Sequence, residues 1–354
     1  MATVLALNAG SSSLKFGVYD VSASGCERLL DGAAETRGDA QMAVARIAET
    51  LTANAVPRPV VVGHRIVHGG AALRRHVRID AAVRRQLEGA QAFAPLHVPE
   101  ALALLDAAQV SFADTPQVAC LDTAFHRGMP DVARTLPLPR ELRALGIERY
   151  GFHGLSCESI VRRLGAETPR RLIIAHLGHG ASVTAVEDGG SVDTSMGLTP
   201  TGGVIMSTRC GDLDPGVLAY VVREHGYTAV QLESLIDERS GMLGISGVSG
   251  DVRALHADAV SESVTSAGAR LAIAMFCYSV RKQIAAMMVV LGGLDMLVFT
   301  GGIGENDALV RATISDGLAA LGVRDVTTVV RVMSAQEEQA LFSIFMSASG
   351  ACRS

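Results

Sequence analysis

Polar residues that could bind an anion follow a short apolar run at the start of the chain. Residues 4–7 are apolar, and the sequence then reads Asn8-Ala9-Gly10-Ser11-Ser12-Ser13-Leu14-Lys15. A glycine lets the backbone approach a ligand closely, serine hydroxyls donate hydrogen bonds, and a lysine supplies a point charge suited to phosphate. The pattern predicts a strand, a tight anion-binding turn and a second strand. A Gly/Ser hairpin tip is also ordinary loop chemistry, so this stretch alone leaves both interpretations open.

Charged and imidazole side chains recur where other apolar runs end. Val60–Val62 leads into a segment that carries Arg65 between glycines, Gln117–Leu121 leads into Asp122, and His153 lies between Gly151 and Gly154. The ends of strands are where α/β proteins place ligand groups. The simpler alternatives are a solvated arginine beside a turn and an aspartate that caps the next segment.

Two later segments have the composition of phosphate sites. Met296–Thr300 is predicted to be a strand, and Gly301-Gly302-Ile303-Gly304-Glu305-Asn306 and then a helix follow it, which together suit a phosphate or nucleotide. A dinucleotide-binding fingerprint competes for this segment, but Glu305 and Asn306 interrupt its spacing. Arg209 lies in a stretch rich in Gly, Pro and Asp, which is either a connector or an anion site built on loops.

The opening pattern occurs a second time. Residues 172–188 read LIIAHLGHGASVTAVED, with His176 in the place of Asn8 and Gly178 in the place of Gly10. A repeated strand-turn-strand unit at the start of each half predicts two domains of similar build that face a shared cleft. A chance pair of glycine-rich hairpins is the alternative.

The composition favours a small-molecule partner. The chain has 354 residues, of which 49% are hydrophobic, and a net charge of -5 from 31 basic and 36 acidic residues. It lacks a basic tract, so neither nucleic acid nor a membrane is indicated, and with no signal peptide in view we expect a cytoplasmic protein. The six cysteines are scattered without a CxxC pair, which predicts reduced thiols. The apolar stretch Ile284–Phe299 is broken by glycines and is predicted to be part of the core. Residues 241–250 are predicted to be a flexible loop, and a core helix is predicted from about Asp258 to Leu291.

The assembled motifs resemble those of the acetate kinase family. The resemblance runs from Leu5 to about Glu338, through NAGSSSLK, GHRIVHGG, APLHVPEAL, DTAFH, RYGFHG, HLGHGAS, SMGLTP, TRCGDLDPG, SGMLGISGVSGDVR and FTGGIGEN. The family belongs to the actin-like, sugar-kinase and heat-shock ATPase superfamily. The resemblance implies an α/β fold with duplicated ribonuclease-H-like domains around an interdomain nucleotide cleft. We expect domains at 1–149 and 150–337, and a C-terminal segment, 338–354, that packs back on the first domain.

The same resemblance implies a reaction. It is the reversible, in-line transfer of the γ-phosphoryl group of ATP to acetate, giving acetyl phosphate and ADP, with Mg²⁺ or Mn²⁺ as cofactor and a homodimer as the assembly. Asn8 and Glu337 would hold the metal, and Arg65 would bind the carboxylate. The catalytic residues would be Asp122, His153 and Arg209.

The remaining matched positions divide between the nucleotide and the substrate's methyl group. The nucleotide would contact Ser11, Ser13, Lys15, His176, Leu177, Gly178, His179, Gly180, Asp251, Val252, Arg253, Gly302, Ile303, Gly304, Glu305 and Asn306. The methyl group would contact Val67, Leu96, Phe152 and Pro200. Branched Val67 favours acetate, although one methylene is worth only about 1–3 kcal/mol, so propionate is expected to be a slower substrate. The family usually has Asn where this chain has His179, which alters the phosphate-side turn.

Other functions remain possible at this stage. An actin-like nucleotide switch or a catalytically weakened paralogue would keep the fold without turnover, but it would not need Arg65. A kinase for propionate or another short-chain acid, or one that uses pyrophosphate, would keep the same residues. The intact segment Gly302–Asn306 favours a nucleotide donor.

Overall fold

A computed structural model describes residues 2–9, 13–22, 25–35, 39–95, 97–261, 263–323 and 328–337. They group into two compact units: the first takes the described residues of Met1–Arg127, Gly154–Ser159 and Gln336–Ser354, and the second takes those of Gly128–His153 and Ile160–Ala335. The sequence predicts a boundary at residue 149 instead. Arg149 illustrates the difference, because its Nη1 donates to the carbonyl oxygens of Thr194, Ser195 and Met196 in the second unit. The predicted segment 338–354 lies outside the described residues.

Groups of consecutive strands and groups of consecutive helices follow one another along the chain. The strands are β1 (Ala2–Ala9), β2 (Ser13–Ser22), β3 (Gly25–Glu35), β4 (Val61–Ile66), β5 (Val77–Arg78), β6 (Gln117–Leu121), β7 (Arg171–Leu177), β8 (Ala181–Glu187), β9 (Gly190–Thr194), β10 (Met296–Thr300) and β11 (Val329–Val332). The helices are α1 (Ala40–Ala53), α2 (Ala81–Gly89), α3 (Val98–Ser111), α4 (Asp131–Arg134), α5 (Arg140–Arg143), α6 (Gly154–Leu164), α7 (Pro215–His225), α8 (Ala229–Glu238), α9 (Gly241–Ser246), α10 (Val252–Ala259), α11 (Ser266–Leu291), α12 (Gly301–Asn306) and α13 (Ala308–Asp316). Short 3₁₀ turns lie at Ala90–Phe93, Ala124–Gly128, Gly165–Glu167 and Ala319–Leu321.

The first unit is built on a six-stranded sheet in the order β3-β2-β1-β4-β6-β5. β1 is antiparallel to β2, with Asn8 opposite Lys15, and β4 runs parallel to both β1 and β6. The sheet is covered on both faces, which is why residues 4–7 of β1 are all apolar. Leu5 and Leu7 pack with α1 and α3 on one face, and Val4 and Ala6 pack on the other.

The second unit repeats this arrangement. Its sheet has five strands in the order β9-β8-β7-β10-β11. These strands correspond one by one to β3-β2-β1-β4-β6 of the first sheet. β7 and β8 form an antiparallel hairpin with His176 opposite Ser182, and β10 is parallel to β7 with Thr300 beside His176. The predicted duplication of a ribonuclease-H-like α/β core is confirmed.

The long helix α11 is the main apolar helix of the second unit. It contacts β7, β8, α9, α10 and α13, and its buried residues include Phe276, Val280 and Ile284, as the prediction of a core helix requires. By length and composition alone it would also suffice to cross a membrane, a test that core helices of globular proteins pass as well. Its other face leaves Leu271 and Tyr278 more than half exposed.

Two predicted elements differ from the structure. Residues 241–250 are predicted to be a flexible loop, but α9 begins at Gly241 because Met242 and Leu243 donate backbone hydrogen bonds to the carbonyl oxygens of residues 206 and 207. The predicted helix from about Asp258 to Leu291 is in fact two helices. Asp258 accepts hydrogen bonds from the hydroxyls of Ser263 and Thr265, and this local network replaces the helix between α10 and α11.

Candidate functional site

Four predicted site residues form one cluster in the first unit. The guanidinium of Arg65 donates from Nε and Nη2 to Oδ2 of Asp122, at 3.0 and 2.8 Å. Its Nη1 donates to Oδ1 of Asn8 at 3.1 Å and lies 3.0 Å from Oε2 of Glu337. The side chain of Asp122 is only 2% exposed, so the ion pair with Arg65 is largely withdrawn from water. A single guanidinium thus joins all four residues.

The strand ends bring these side chains together. Asn8 and Arg65 lie near the carboxyl ends of the parallel strands β1 and β4, and Asp122 follows β6 directly. This edge of a parallel sheet is where open α/β folds bind ligands. Gly154 permits a close approach, since its N–H donates to the carbonyl oxygen of Asp122 at 2.8 Å and a Cβ there would lie 2.1 Å from that oxygen. A larger residue at 154 would therefore displace the segment that carries Asp122.

One oxygen of Asp122 is available to a ligand. Its Oδ1 is buried and has no hydrogen-bond partner among the described residues. Burial raises the pKa of Asp122 above its ordinary value, and nearby Glu337 raises it further, whereas Arg65 opposes the shift. Because an unsatisfied buried acceptor costs free energy, a bound donor or cation at Oδ1 would stabilise the site.

The donor set of this cluster fits a divalent cation. Asn8 and Glu337 present an amide oxygen and a carboxylate oxygen to the same Arg65 nitrogen. Oxygen ligands of this kind suit Mg²⁺, which commonly binds one or two carboxylates together with substrate phosphates. Among the described residues there is no group of three or more His, Cys, Asp and Glu that could hold a metal by itself. The remaining ligands would have to come from water and substrate.

A second cluster surrounds His153 in the second unit. The backbone of His153 is left-handed, with φ of 57°, and its Nδ1 lies 2.9 Å from Oγ of buried Ser182. Its ring stacks on that of His176, with centroids 4.1 Å apart. Ser182 and His176 are cross-strand partners in the β7–β8 hairpin. His176 therefore positions the face of the His153 ring by stacking, and Ser182 positions its Nδ1 by a hydrogen bond.

Arg209 approaches the same hairpin. A Cβ on Gly180 would lie 3.1 Å from Nη1 of Arg209 and 3.2 Å from Nε2 of His153, so this glycine leaves room for both groups. Nη1 of Arg209 also donates to the carbonyl oxygen of Pro200 at 3.3 Å. A guanidinium and an imidazole beside a glycine turn form an arrangement that can bind phosphoryl oxygens.

A cavity of about 1010 Å³ lies in the second unit. Predicted nucleotide contacts form much of its wall, namely Gly178, His179, Asp251, Val252, Arg253, Gly302, Ile303 and Asn306. His179 is exposed in the cavity wall, and partial desolvation together with the positive charge of Arg209 lowers its pKa below the ordinary histidine value. The ring is therefore neutral at pH 7. The cavity has the size and mixed lining of a small-molecule site.

Other predicted nucleotide contacts lie elsewhere. His176 and Leu177 end β7, and buried Gly304 lies inside α12 without lining the cavity. Glu305 accepts hydrogen bonds at Oε1 from the backbone N–H groups of Gly301 and Ala335, a bracing role. Lys15 is exposed on β2, opposite Asn8.

Some predicted contacts cannot be compared with the structure. Ser11 and Leu96 lie outside the described residues, and the side chain of Ser13 is likewise not described. Of the predicted methyl contacts, Val67 is half-buried in the first unit. Phe152 is buried and Pro200 half-buried, both in the second unit.

The cavity also has walls that sequence reasoning missed. They are Ser207, Thr208, Gly250, His256, Asp307, Ala308 and Leu309. Ser207 and Thr208 lie beside Arg209, and the composition of the stretch from Thr208 had left an anion site open. Gly250 ends a segment that was predicted only to be a flexible loop. His256 lies on α10, and Asp307, Ala308 and Leu309 lie at the start of α13, where helical sequence carries no signal of a binding wall.

Comparison with known proteins assigns the family. The model of the acetokinase family matches residues 32–348. The chain belongs to the acetokinase family. An acetate kinase from Dichelobacter nodosus (strain VCS1703A) is 41% identical over 350 residues, which cover 91% of this chain and 87% of that protein. Membership of the acetokinase family makes the chain a phosphotransferase whose acceptor is a carboxylate.

Solved structures of acetokinase-family enzymes have the same fold. A propionate kinase from Francisella tularensis subsp. tularensis SCHU S4 has a TM-score of 0.90 at 33% identity, over 97% of this chain and 99% of that one. The acetate kinase of Porphyromonas gingivalis has a TM-score of 0.87 at 32% identity, over 99% of this chain and 100% of that one. The family resemblance predicted from the motifs is confirmed.

Proposed function

We propose that the chain transfers the γ-phosphoryl group of ATP reversibly to acetate, with Mg²⁺ as the cation. The observation that carries this proposal is the Arg65 cluster, in which a forked guanidinium, a buried carboxylate and two further oxygen donors lie at one strand edge. A guanidinium is the natural receptor for a small carboxylate. A pure nucleotide switch would not require it.

In the first unit, Asp122 holds Arg65 in place for the acceptor. Because Oδ2 of Asp122 binds both Nε and Nη2, the guanidinium is fixed in its plane and Nη1 is directed to Asn8 and Glu337. Asn8 and Glu337 would hold the cation, and Nη1 would bind the carboxylate of acetate. The cation would supply charge neutralisation to the phosphates. Asp122 orients the acceptor oxygen and can hold a proton at Oδ1.

In the second unit, Arg209 and His153 would stabilise the phosphoryl group during its transfer. Phosphoryl transfer passes through a loose transition state whose charge lies on three equatorial oxygens, so catalysis consists mainly of positioning and charge stabilisation. Gly180 leaves Nη1 of Arg209 and Nε2 of His153 beside the same small space. The adjoining cavity, with His179 and Asp251–Arg253 in its walls, would take the nucleotide.

The direct test is formation of hydroxamate from acetate, ATP and hydroxylamine. The purified wild-type protein should give product that depends on ATP and on a divalent cation, and Arg209→Ala should give none above background. A wild-type protein that yields no more hydroxamate than Arg209→Ala would remove the kinase proposal and favour a nucleotide-binding paralogue.

Propionate is the second candidate acceptor. The propionate kinase of F. tularensis has a TM-score of 0.90 to this chain, so the fold accommodates a longer acid. Val67 favours acetate, because a branched side chain narrows the space left for a second methylene. The ratio of kcat/KM for the two acids tests this assignment, which fails if propionate or another acid is preferred by tenfold or more.

The assembly and the location belong to the same proposal. We propose a cytoplasmic homodimer, with the exposed apolar face of α11 as the surface that supports association. Leu271 and Tyr278 on this face are 53% and 57% exposed. Apolar side chains at helical spacing in water are typical of a protein–protein interface.

A further inference from the structure

A polar pair in the cavity wall has no role in the chemistry described above. Nε2 of His256 lies 2.8 Å from Oδ2 of Asp307, and both residues line the cavity. The side chain of His256 is 31% exposed and that of Asp307 is 13% exposed. His256 belongs to α10, whereas Asp307 connects α12 to α13, so the pair also ties two walls of the cavity together.

The pair fixes the hydrogen-bonding character of His256. Asp307 caps α13 by accepting at Oδ1 from the N–H of Val310, at 2.9 Å, so its carboxylate is held in position. Since a carboxylate only accepts, Nε2 of His256 must donate, and the neutral ring then keeps Nδ1 as an acceptor. Nδ1 has no hydrogen-bond partner within the described part of the chain.

The cavity wall combines residues beside the phosphoryl-binding groups with apolar residues beside the histidine pair. Gly178 and His179 adjoin Gly180, where Arg209 and His153 would hold phosphoryl oxygens. Ala308 and Leu309 follow Asp307 in the wall and add apolar surface beside the polar side chain of Asn306. A planar base is bound by apolar surface together with a small number of oriented polar atoms.

We propose that His256 selects the base of the nucleotide by accepting, at Nδ1, a hydrogen bond from the exocyclic amino group of adenine. Asp307 is the positioning residue that fixes the required tautomer. Guanine carries a carbonyl oxygen at the equivalent position, and two acceptors facing each other repel. The inference rests on the proposed function and adds to it a side chain that distinguishes adenine from other purines.

The test removes the amino group from the ligand and the acceptor from the protein in turn. For the wild-type protein, kcat/KM for ATP should exceed that for purine riboside triphosphate, which lacks the amino group, by about fivefold, the effect of one neutral hydrogen bond. In His256→Ala the two nucleotides should become equivalent. Asp307→Asn, which keeps an equally good helix cap, should lose part of the preference. The control His225→Ala, at an exposed histidine of α7, should keep all of it.

Inhibition by inorganic tripolyphosphate separates base selection from general damage. It has no base, so its inhibition constant should be the same for the wild-type protein and for His256→Ala. An unchanged preference for ATP in His256→Ala, or an equal loss for both nucleotides with weaker tripolyphosphate inhibition, would overturn the proposal. If the wild-type protein makes no acetyl phosphate, the proposed function fails instead, and calorimetric binding of the same two nucleotides still tests His256.

Discussion

Arg65 and Asp122 are the residues on which the acceptor chemistry depends. Their contact has two hydrogen bonds to one oxygen, Oδ2, and it leaves Oδ1 of Asp122 buried without a partner among the described residues. Removing one member of a buried ion pair leaves an uncompensated charge, which is usually more damaging than loss of the pair as a whole. A variant that keeps the shape of Asp122 is therefore the most informative one.

Asp122→Asn should lower kcat by about 100-fold or more, because the amide can neither carry the charge that orients Arg65 nor hold a proton at Oδ1. The affinity for ATP should change little, since the cavity lies in the second unit. Steady-state kinetics and nucleotide binding check both parts. Asp106→Asn is the matched control, because Asp106 also pairs with an arginine, Arg84, but is 56% exposed. Turnover in Asp122→Asn close to that of the control would remove Asp122 from the catalytic residues.

His179 gives a prediction about pH. Partial desolvation, and then the charge of Arg209, lower its pKa, so the cation forms only at a pH below the ordinary histidine range. We expect the KM for ATP to be independent of this ring between about pH 7 and 8.5, and to fall by about threefold when the ring gains its proton in acid, the size of a partly screened charge contact. His179→Asn should lack this acid-side change when the two proteins are titrated in parallel. Identical profiles would make His179 a neutral substitution.

At the residue scale, motifs predicted the residues at strand ends and the segments 251–253 and 302–306, but they missed His256 and Asp307. Asn8, Arg65 and Asp122 end strands that pair in the sheet, so a one-dimensional pattern locates them at one edge. His256 and Asp307 are 51 residues apart in the sequence and come into contact only in the folded chain. No local pattern encodes that contact. The left-handed backbone of His153 could not be predicted from the sequence either, because the neighbouring glycines were the only local sign of an unusual conformation.

At the scale of elements, β4 and β6 are joined by a buried polar contact as well as by their backbone. Nε2 of His64 donates to Oε1 of Gln117 at 2.6 Å, while the amide of Gln117 donates to the carbonyl oxygen of Thr115. Burial lowers the pKa of His64 to about 4, although the hydrogen bond to Gln117 opposes the shift. The neutral ring thus contributes to the stability of the sheet that carries Arg65.

The burial of His64 predicts acid sensitivity with a definite sign. In the unfolded chain His64 gains a proton near pH 6.5, but in the folded chain only near pH 4, so stability is lost as the pH falls through that window. The expected loss is about 3 kcal/mol. Urea unfolding at several pH values should show this loss in the wild-type protein and a flatter profile in His64→Gln, which keeps a donor for Gln117 without a titrating group. Parallel profiles for the two proteins would show that His64 is not the origin of the stability loss in acid.

The helices were predicted less well than the strands for a physical reason. Buried parallel strands are continuous apolar runs, which sequence reveals directly, whereas α9 is stabilised by carbonyl groups of residues 206 and 207 that lie outside it. The interruption between α10 and α11 likewise depends on the side-chain network around Asp258. Tertiary contacts override local preference at both places.

At the scale of the whole molecule, exposed apolar side chains predict association. The proposed homodimer should have twice the 36.9 kDa mass of one chain in light scattering. Tyr278→Glu combined with Val289→Glu, at positions 57% and 83% exposed, should reduce it to the monomer, because a buried unpaired carboxylate is costly in an interface. The control Val132→Glu, at a 90% exposed position on α4, should remain dimeric. A monomeric wild-type protein at micromolar concentration would contradict the prediction.

Because the two sheets have matching strand pairing, equivalent positions within this one chain can be compared directly. Asn8 stands opposite Lys15 in one hairpin and His176 stands opposite Ser182 in the other, while the parallel neighbours of these strands place Arg65 and Thr300 at corresponding points. One scaffold therefore carries the cationic side chains of Lys15 and Arg65 in its first copy, where the second copy has the hydroxyl groups of Ser182 and Thr300. Exchanging residues between equivalent points would separate what the scaffold imposes from what each side chain adds, without recourse to any other protein.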